Sequence, residues 1–219
     1  MPRNGRAGRG AGRRGEGVAV SQSQAGMPLV ESLNVLREIR GDDEVVLTVM
    51  GTAREWMALG EPHPLDWIYV PSSMGQAPSL GLGMALAQPD KQVIVCNGDG
   101  CMLMNLGSLV TITNQAVSNY TLIIFDNGVY EITGGQPTPA TSGTAALVDH
   151  PALARAAGFQ QIFVFEDLDA WRESARDVID APGPTFVHLA IAPIPGAVGP
   201  RSPGPAPARA QDFADAMQA

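Results

Sequence analysis

Gly98-Asp99-Gly100 is the segment best equipped to do chemistry. It follows an apolar run, 92–97 (QVIVCN), and precedes a helical stretch, so one carboxylate flanked by glycines stands at a strand-to-helix turn. Glycines let backbone come close to a ligand. A helix N-terminus favours an anion there through its free N–H groups. An aspartate and a phosphate repel each other at one spot, so the pairing calls for a divalent cation between them. Mg2+, a hard ion that bridges protein and phosphate oxygens, fits that task. A second apolar run, 121–126 (TLIIFD), ends in Asn127-Gly128-Val129-Tyr130. In a parallel sheet both runs end on the same edge. The Asn127 amide oxygen and the Val129 carbonyl can then join Asp99 around one cation.

The rest of the chain reads as the scaffold for that edge. Apolar residues at 29, 30, 33, 36 and 39 predict a helix over 28–40, stopped by Gly41. Strands are predicted over 44–49, 67–70, 92–97, 121–126, 161–165 and 185–191. Helices are predicted over 52–59, 76–88, 102–116, 151–157 and 168–180. Continuous apolar strands alternating with helices imply an α/β fold: a single three-layer α/β/α domain with a mostly parallel sheet, covered on both faces. Ligands of such sheets sit at the carboxyl ends of the strands. The expected organisation is a disordered basic tail over 1–26, a domain over 27–195 and a Pro-rich extended tail over 196–219 that ends in at most one helical turn. Met27 is an alternative start.

Composition narrows the function. With 45% hydrophobic and 16% charged residues, the chain is too apolar for a disordered protein. Residues 27–195 carry seven basic against nineteen acidic side chains, which argues against nucleic-acid binding by the domain. An anionic ligand there must be held by backbone amides and a metal. Two cysteines, Cys96 and Cys101, are too few for a disulfide scaffold or a four-cysteine cluster, so a reducing, cytoplasmic setting is expected. The longest uncharged run, 101–125, is too polar for a membrane span.

The motif as a whole resembles the diphosphate–Mg2+ motif of thiamine diphosphate (TPP)-dependent enzymes: Gly98-Asp99-Gly100, 26 residues, then Asn127. Upstream, Ser72-Ser73-Met74-Gly75 and the small-residue helix APSLGLGMALA are similar to that family's lead-in. Downstream, residues 126–130 and Thr133-Gly134-Gly135-Gln136-Pro137-Thr138 resemble the β subunits of sulfopyruvate and phosphonopyruvate decarboxylases. The resemblance covers about residues 28–192. It implies a TPP- and Mg2+-binding subunit of a heteromeric 2-oxo acid decarboxylase, in which the cofactor takes up the electrons released with CO2. It implies Asp99, Asn127 and Val129 as metal ligands. Ser72, Ser73, Met74, Gly98, Gly100, Cys101 and Tyr130 would join those three against the cofactor, with Met74 between its rings. The carboxylate that activates the pyrimidine lies on a separate domain in such enzymes, so a partner α subunit with a pyrimidine-binding domain is expected to supply it. Cys101 stands where many relatives have serine, and Glu131 where a small residue is expected.

Several residues keep two readings at this level. Met74 is the ring wedge or a core side chain. Glu131, taken with Met74 as catalytic, is a proton relay or substrate contact, or else a solvated loop residue. Tyr130 touches diphosphate or merely packs. Thr48, Gly51 and Thr52 follow the first strand, where Thr52 also suits a helix cap. Arg54 is the basic residue nearest the ligand edge. His63 is within reach of the pocket, and His150 and His188 read as structural. The same residues also fit a carboligase of the acetolactate synthase kind, or a subunit that holds TPP without turnover. A ferredoxin-coupled oxidoreductase subunit would bring more cysteines.

Overall fold

A computed structural model of the chain describes residues 26–139 and 148–218. Residues 1–25 of the expected basic tail lie outside the described residues. The elements begin with α1 (Leu29–Ile39), β1 (Glu44–Thr48), α2 (Met50–Ala58) and β2 (Asp66–Ile68). Next come α3 (Ala77–Ala87), β3 (Gln92–Gly98), α4 (Asp99–Leu103), α5 (Gly107–Gln115) and β4 (Tyr120–Asp126). A small hairpin, β5 (Val129–Tyr130) and β6 (Gln136–Pro137), follows. The chain ends with α6 (His150–Ala157), β7 (Gln161–Phe165), α7 (Leu168–Asp180), β8 (Thr185–Ala190) and α8 (Ala206–Gln218).

The main sheet has six strands in the order β2-β1-β3-β4-β8-β7, and every pairing in it is parallel. Its central strands are buried along almost their whole length, as the uninterrupted apolar runs require. Alternate side chains enter two cores. Val46, Ile94, Ile123, Phe125, Val187 and Leu189 meet α1, α2 and α7, where Trp171 is fully buried and donates its indole N–H to Ser32 O at 3.1 Å. Leu47, Val95, Leu122, Ile124 and Phe186 meet α3, α4, α5 and α6. The α3 layer lies very close to the sheet: a methyl on Gly81 would come within 2.3 Å of Val95 Cγ2. The expected three layers are therefore present. Among the described residues, no helix is long and apolar enough to cross a membrane.

Two elements differ from expectation. The single helix expected over 102–116 is two, α4 and α5, separated by a turn at Met104–Leu106. There the Asn105 side chain donates to Gly75 O at 3.1 Å, a tertiary bond that holds the break. The extended tail expected to finish in one turn instead forms the 13-residue α8. Its alanines are strong helix formers, and Phe213 and Met217 share one face at i,i+4 spacing. The helix docks on the edge strand β2. Arg209 donates to Ile68 O at 2.8 Å and to Val70 O, and the Phe213 ring sits 5.2 Å from that of Trp67. This covers an otherwise open sheet edge.

Candidate functional site

The strand order reverses between β1 and β3, and a cleft opens there at the carboxyl edge. It collects the residues that follow four strands: Val49 and Met50 after β1, Gly98–Cys101 at the end of β3, Asn127 after β4 and Ile191 after β8. Met50 has φ +49°, a left-handed conformation uncommon for a side-chain-bearing residue and typical of strained positions at functional sites.

Asp99 is the first residue of α4. Gly98 precedes it in extended conformation and turns the chain from strand to helix. Only 2% of Asp99 is exposed, and its Oδ2 has no hydrogen-bond partner. Burial pushes its carboxyl up to about 7; the nearby Asp126 carboxylate adds to this, and the Gly100 N–H opposes it. A side chain on Gly98 would meet nothing, so the space above the turn is open. Gly100 is different: a methyl there would sit 2.7 Å from the Tyr130 ring, so the ring covers the helix start only because residue 100 is glycine.

Two consecutive side-chain turns reverse the chain after β4. Asp126 Oδ1 accepts from Gly128 N, and Asn127 Oδ1 accepts from Val129 N, both at 3.0 Å. They bring Asn127, Val129 and Tyr130 into the cleft with Asp99. Met74 also lines the cleft, and it is 50% exposed rather than packed in a core. Cys101 lines it while buried, and burial pushes its thiol up, so it is a neutral S–H. Ser72 and Ser73 are not among the lining residues; Ser73 N donates to the Tyr69 hydroxyl at 3.2 Å.

Glu131 lines the cleft but is not a solvated loop residue. Its Oε1 accepts from Ile194 N at 2.7 Å, and its Oε2 lies 3.3 Å from Arg54 Nη2. Arg54 also donates to Val198 O at 2.8 Å. The pair thus fastens the segment after β8 across the cleft. Thr52 is not the N-cap, because α2 begins at Met50 with Val49 capping it; as the third helical residue it reaches back to exchange hydrogen bonds with the Val49 backbone, and it also donates to Cys96 O at 2.9 Å. His63 belongs to a different cleft, beside Trp67 and α8.

Two features escaped sequence reasoning. Asn97 is fully buried at the end of β3, and neither polar atom of its amide has a partner. An amide closing a Val/Ile strand was a visible signal. Asp126, His150 and His188 meet on the face opposite the α1 layer, with His188 Nε2 2.9 Å from Asp126 Oδ2. They come from three elements far apart in the chain, so no spacing announced them. Burial alone would raise Asp126, but His150 and His188 beside it hold its carboxyl well below the usual range.

The residues fit a divalent cation with a diphosphate. A buried carboxylate with a free oxygen, an amide oxygen and a backbone carbonyl are hard donors of the kind Mg2+ takes. Among the described residues lining the cleft there is no Lys, Arg or His. An anion bound there relies on the cation and on backbone N–H groups.

Comparison with known proteins identifies the family of the domain. Residues 49–189 match the family model of the thiamine pyrophosphate enzyme C-terminal TPP binding domain. The chain is 38% identical over 159 residues to the phosphonopyruvate decarboxylase of Streptomyces viridochromogenes, covering 73% of this chain and 38% of that protein. It is 36% identical over 168 residues to the sulfopyruvate decarboxylase subunit beta of Methanothermobacter thermautotrophicus, covering 75% of this chain and 84% of that one. The solved structure of the thiamine diphosphate-dependent 4-hydroxybenzoylformate decarboxylase of Rhodococcus jostii superposes with a TM-score of 0.64 at 20% identity, over 84% of this chain and 36% of that one. This last likeness is one of fold.

Proposed function

Because this chain belongs to the family of thiamine pyrophosphate enzyme C-terminal TPP-binding domains, we propose that it is the diphosphate- and Mg2+-holding β subunit of a 2-oxo acid decarboxylase. The reading is carried by Asp99, a buried carboxylate with an unpartnered oxygen, set beside Asn127 and Val129 in a cleft with no basic lining. When bound, the cofactor supplies an electron sink for loss of CO2 from the substrate.

The chain's own residues bind and orient. Asp99, Asn127 Oδ1 and the Val129 carbonyl hold the cation. Gly98 and Gly100 keep backbone close to the anion, and the start of α4 offers it N–H groups. Met74, which lines the cleft and is half exposed, would support the cofactor rings. The activating carboxylate is assigned to a partner subunit with a pyrimidine-binding domain. Among the described residues lining the cleft the carboxylates are Asp99 and Glu131. The first serves the metal, and the second is engaged by Ile194 N and Arg54. The relatives named subunit beta support a two-chain enzyme. The phosphonopyruvate and sulfopyruvate decarboxylases among the relatives also support a substrate with a second anionic group, a sulfonate or phosphonate. With no basic side chain lining this half of the cleft, the partner would meet that group. A reducing cytoplasm suits the free thiols Cys96 and Cys101.

Affinity capture of the full chain from its host, followed by calorimetric titration with TPP and Mg2+, tests this. A stoichiometric partner bearing a pyrimidine-binding domain, and Mg2+-dependent TPP binding lost in Asp99→Ala, are expected. Unchanged affinity in Asp99→Ala would remove the metal assignment. TPP-dependent turnover by the chain alone would remove the partner.

A further inference from the structure

We propose that Asp126, His150 and His188 form a second cation site, selective for a borderline transition ion such as Zn2+, Co2+ or Fe2+, on the α6 side of β4 and next to the Asp99 turn. The site needs neither TPP nor the decarboxylase reading.

Strand alternation creates it. Leu122, Ile124 and Asp126 on β4 point to the same face, as do Phe186 and His188 on β8. His188 pairs in register with Ile124, which places it diagonally below Asp126. His150, at the start of α6, closes over both. One ligand atom from each residue lies within 4.8 Å of the others. Two separations are specific: His188 Nε2 is 2.9 Å and His150 Nδ1 3.5 Å from Asp126 Oδ2. A tetrahedral ion with bonds of about 2.0–2.1 Å spaces its ligands about 3.3 Å apart, and these two values bracket that edge.

The unsatisfied groups point the same way. His150 is 2% exposed, yet neither ring nitrogen makes a hydrogen bond; His188 Nδ1 is also buried and unpartnered. A hydrogen-bonded His188–Asp126 pair leaves His150 with one long 3.5 Å contact from Nδ1 to Asp126 Oδ2 and a buried Nε2 that meets no acceptor or donor, at a cost that buried polar groups normally avoid. A cation satisfies it. Two imidazoles and one carboxylate suit borderline ions over Mg2+. The Asp126 and His188 side chains keep 19% and 14% exposure, so the cluster is reachable from solvent. An ion there would tie β4, β8 and α6 together directly behind the turn that presents Asn127.

The test uses the full chain, stripped with chelator and titrated with Co2+ in excess Mg2+ without TPP. One equivalent of Co2+ with visible d–d absorption is expected. X-ray absorption should give two imidazole nitrogens at about 2.0–2.1 Å. His150→Gln and His188→Gln should each weaken binding by tenfold or more, and His63→Gln, in the other cleft, should leave the Co2+ spectrum in place. No bound Co2+, an oxygen-only coordination sphere, or undiminished binding in both histidine variants would overturn the site. Should those variants fail to fold by circular dichroism, the wild-type absorption spectrum decides alone.

Discussion

Replacing Asp99 with asparagine should make the ligand-free chain more stable. Asp99 is buried, and burial, reinforced by the Asp126 charge, lifts its carboxyl from an ordinary 3.8 to about 7. Holding it ionised in the fold at pH 7–8 therefore costs up to about 4 kcal/mol. Asparagine keeps the oxygen that accepts the Gly100 N–H and removes the charge. The sign follows from proton linkage. Below about pH 4 the carboxyl is protonated in both folded and unfolded chains, and the penalty vanishes. Between there and about pH 7 the unfolded chain ionises first, so stability falls as pH rises. The gain in Asp99→Asn should thus be near zero at pH 4 and largest at pH 7–8. Relaxation of the empty site will reduce it; half the upper figure would raise Tm by about 4–8 °C for a chain of this size. Calorimetric or circular-dichroism melts of both chains across that pH range, without metal or cofactor, measure it. Adding Mg2+ and TPP should then reverse the order, stabilising the parent and leaving the variant unmoved. A variant less stable than the parent at pH 8, or a gain independent of pH, would refute the claim that Asp99 is a strained anion awaiting a cation.

Other consequences are equally direct. Gly100→Ala should displace the Tyr130 ring and weaken Mg2+-dependent TPP binding about tenfold or more, read by calorimetry; combining it with Tyr130→Ala should recover part of the loss, since the clash is with that ring. Gly81→Ala should destabilise the chain by about 1–3 kcal/mol in urea melts through overpacking against Val95. Combined with Val95→Ala it should cost less than the two substitutions summed. Phe213→Ala should loosen α8 from Trp67, at about 1–2 kcal/mol, and expose the C-terminal helix to limited proteolysis while sparing the sheet.

The legible part of this protein was local. Buried parallel strands write themselves as uninterrupted apolar runs, so β1, β3, β4 and β8 could be read directly. A strand-to-helix turn needs its glycines within a few residues of its carboxylate, so Gly98-Asp99-Gly100 announced itself, and Asn127 followed because parallel strands end on one edge. Contacts between distant segments were not legible. Glu131 read equally as a proton relay or a solvated loop residue, and only the fold brought Ile194 N and Arg54 to its two oxygens. The helix over 102–116 breaks because Asn105 finds Gly75 O, thirty residues away. The tail becomes α8 because Trp67 and the carbonyls of β2 give Phe213 and Arg209 somewhere to bind. His150 and His188 read as bland histidines until β4 and β8 paired in register and α6 folded over them. Strands, turns and the donors they carry follow from the order of residues alone, since they depend on neighbours in the chain. Which donors share a cavity, which are already engaged and which are left unsatisfied depends on the folded packing, because burial and pairing are properties of packed surfaces.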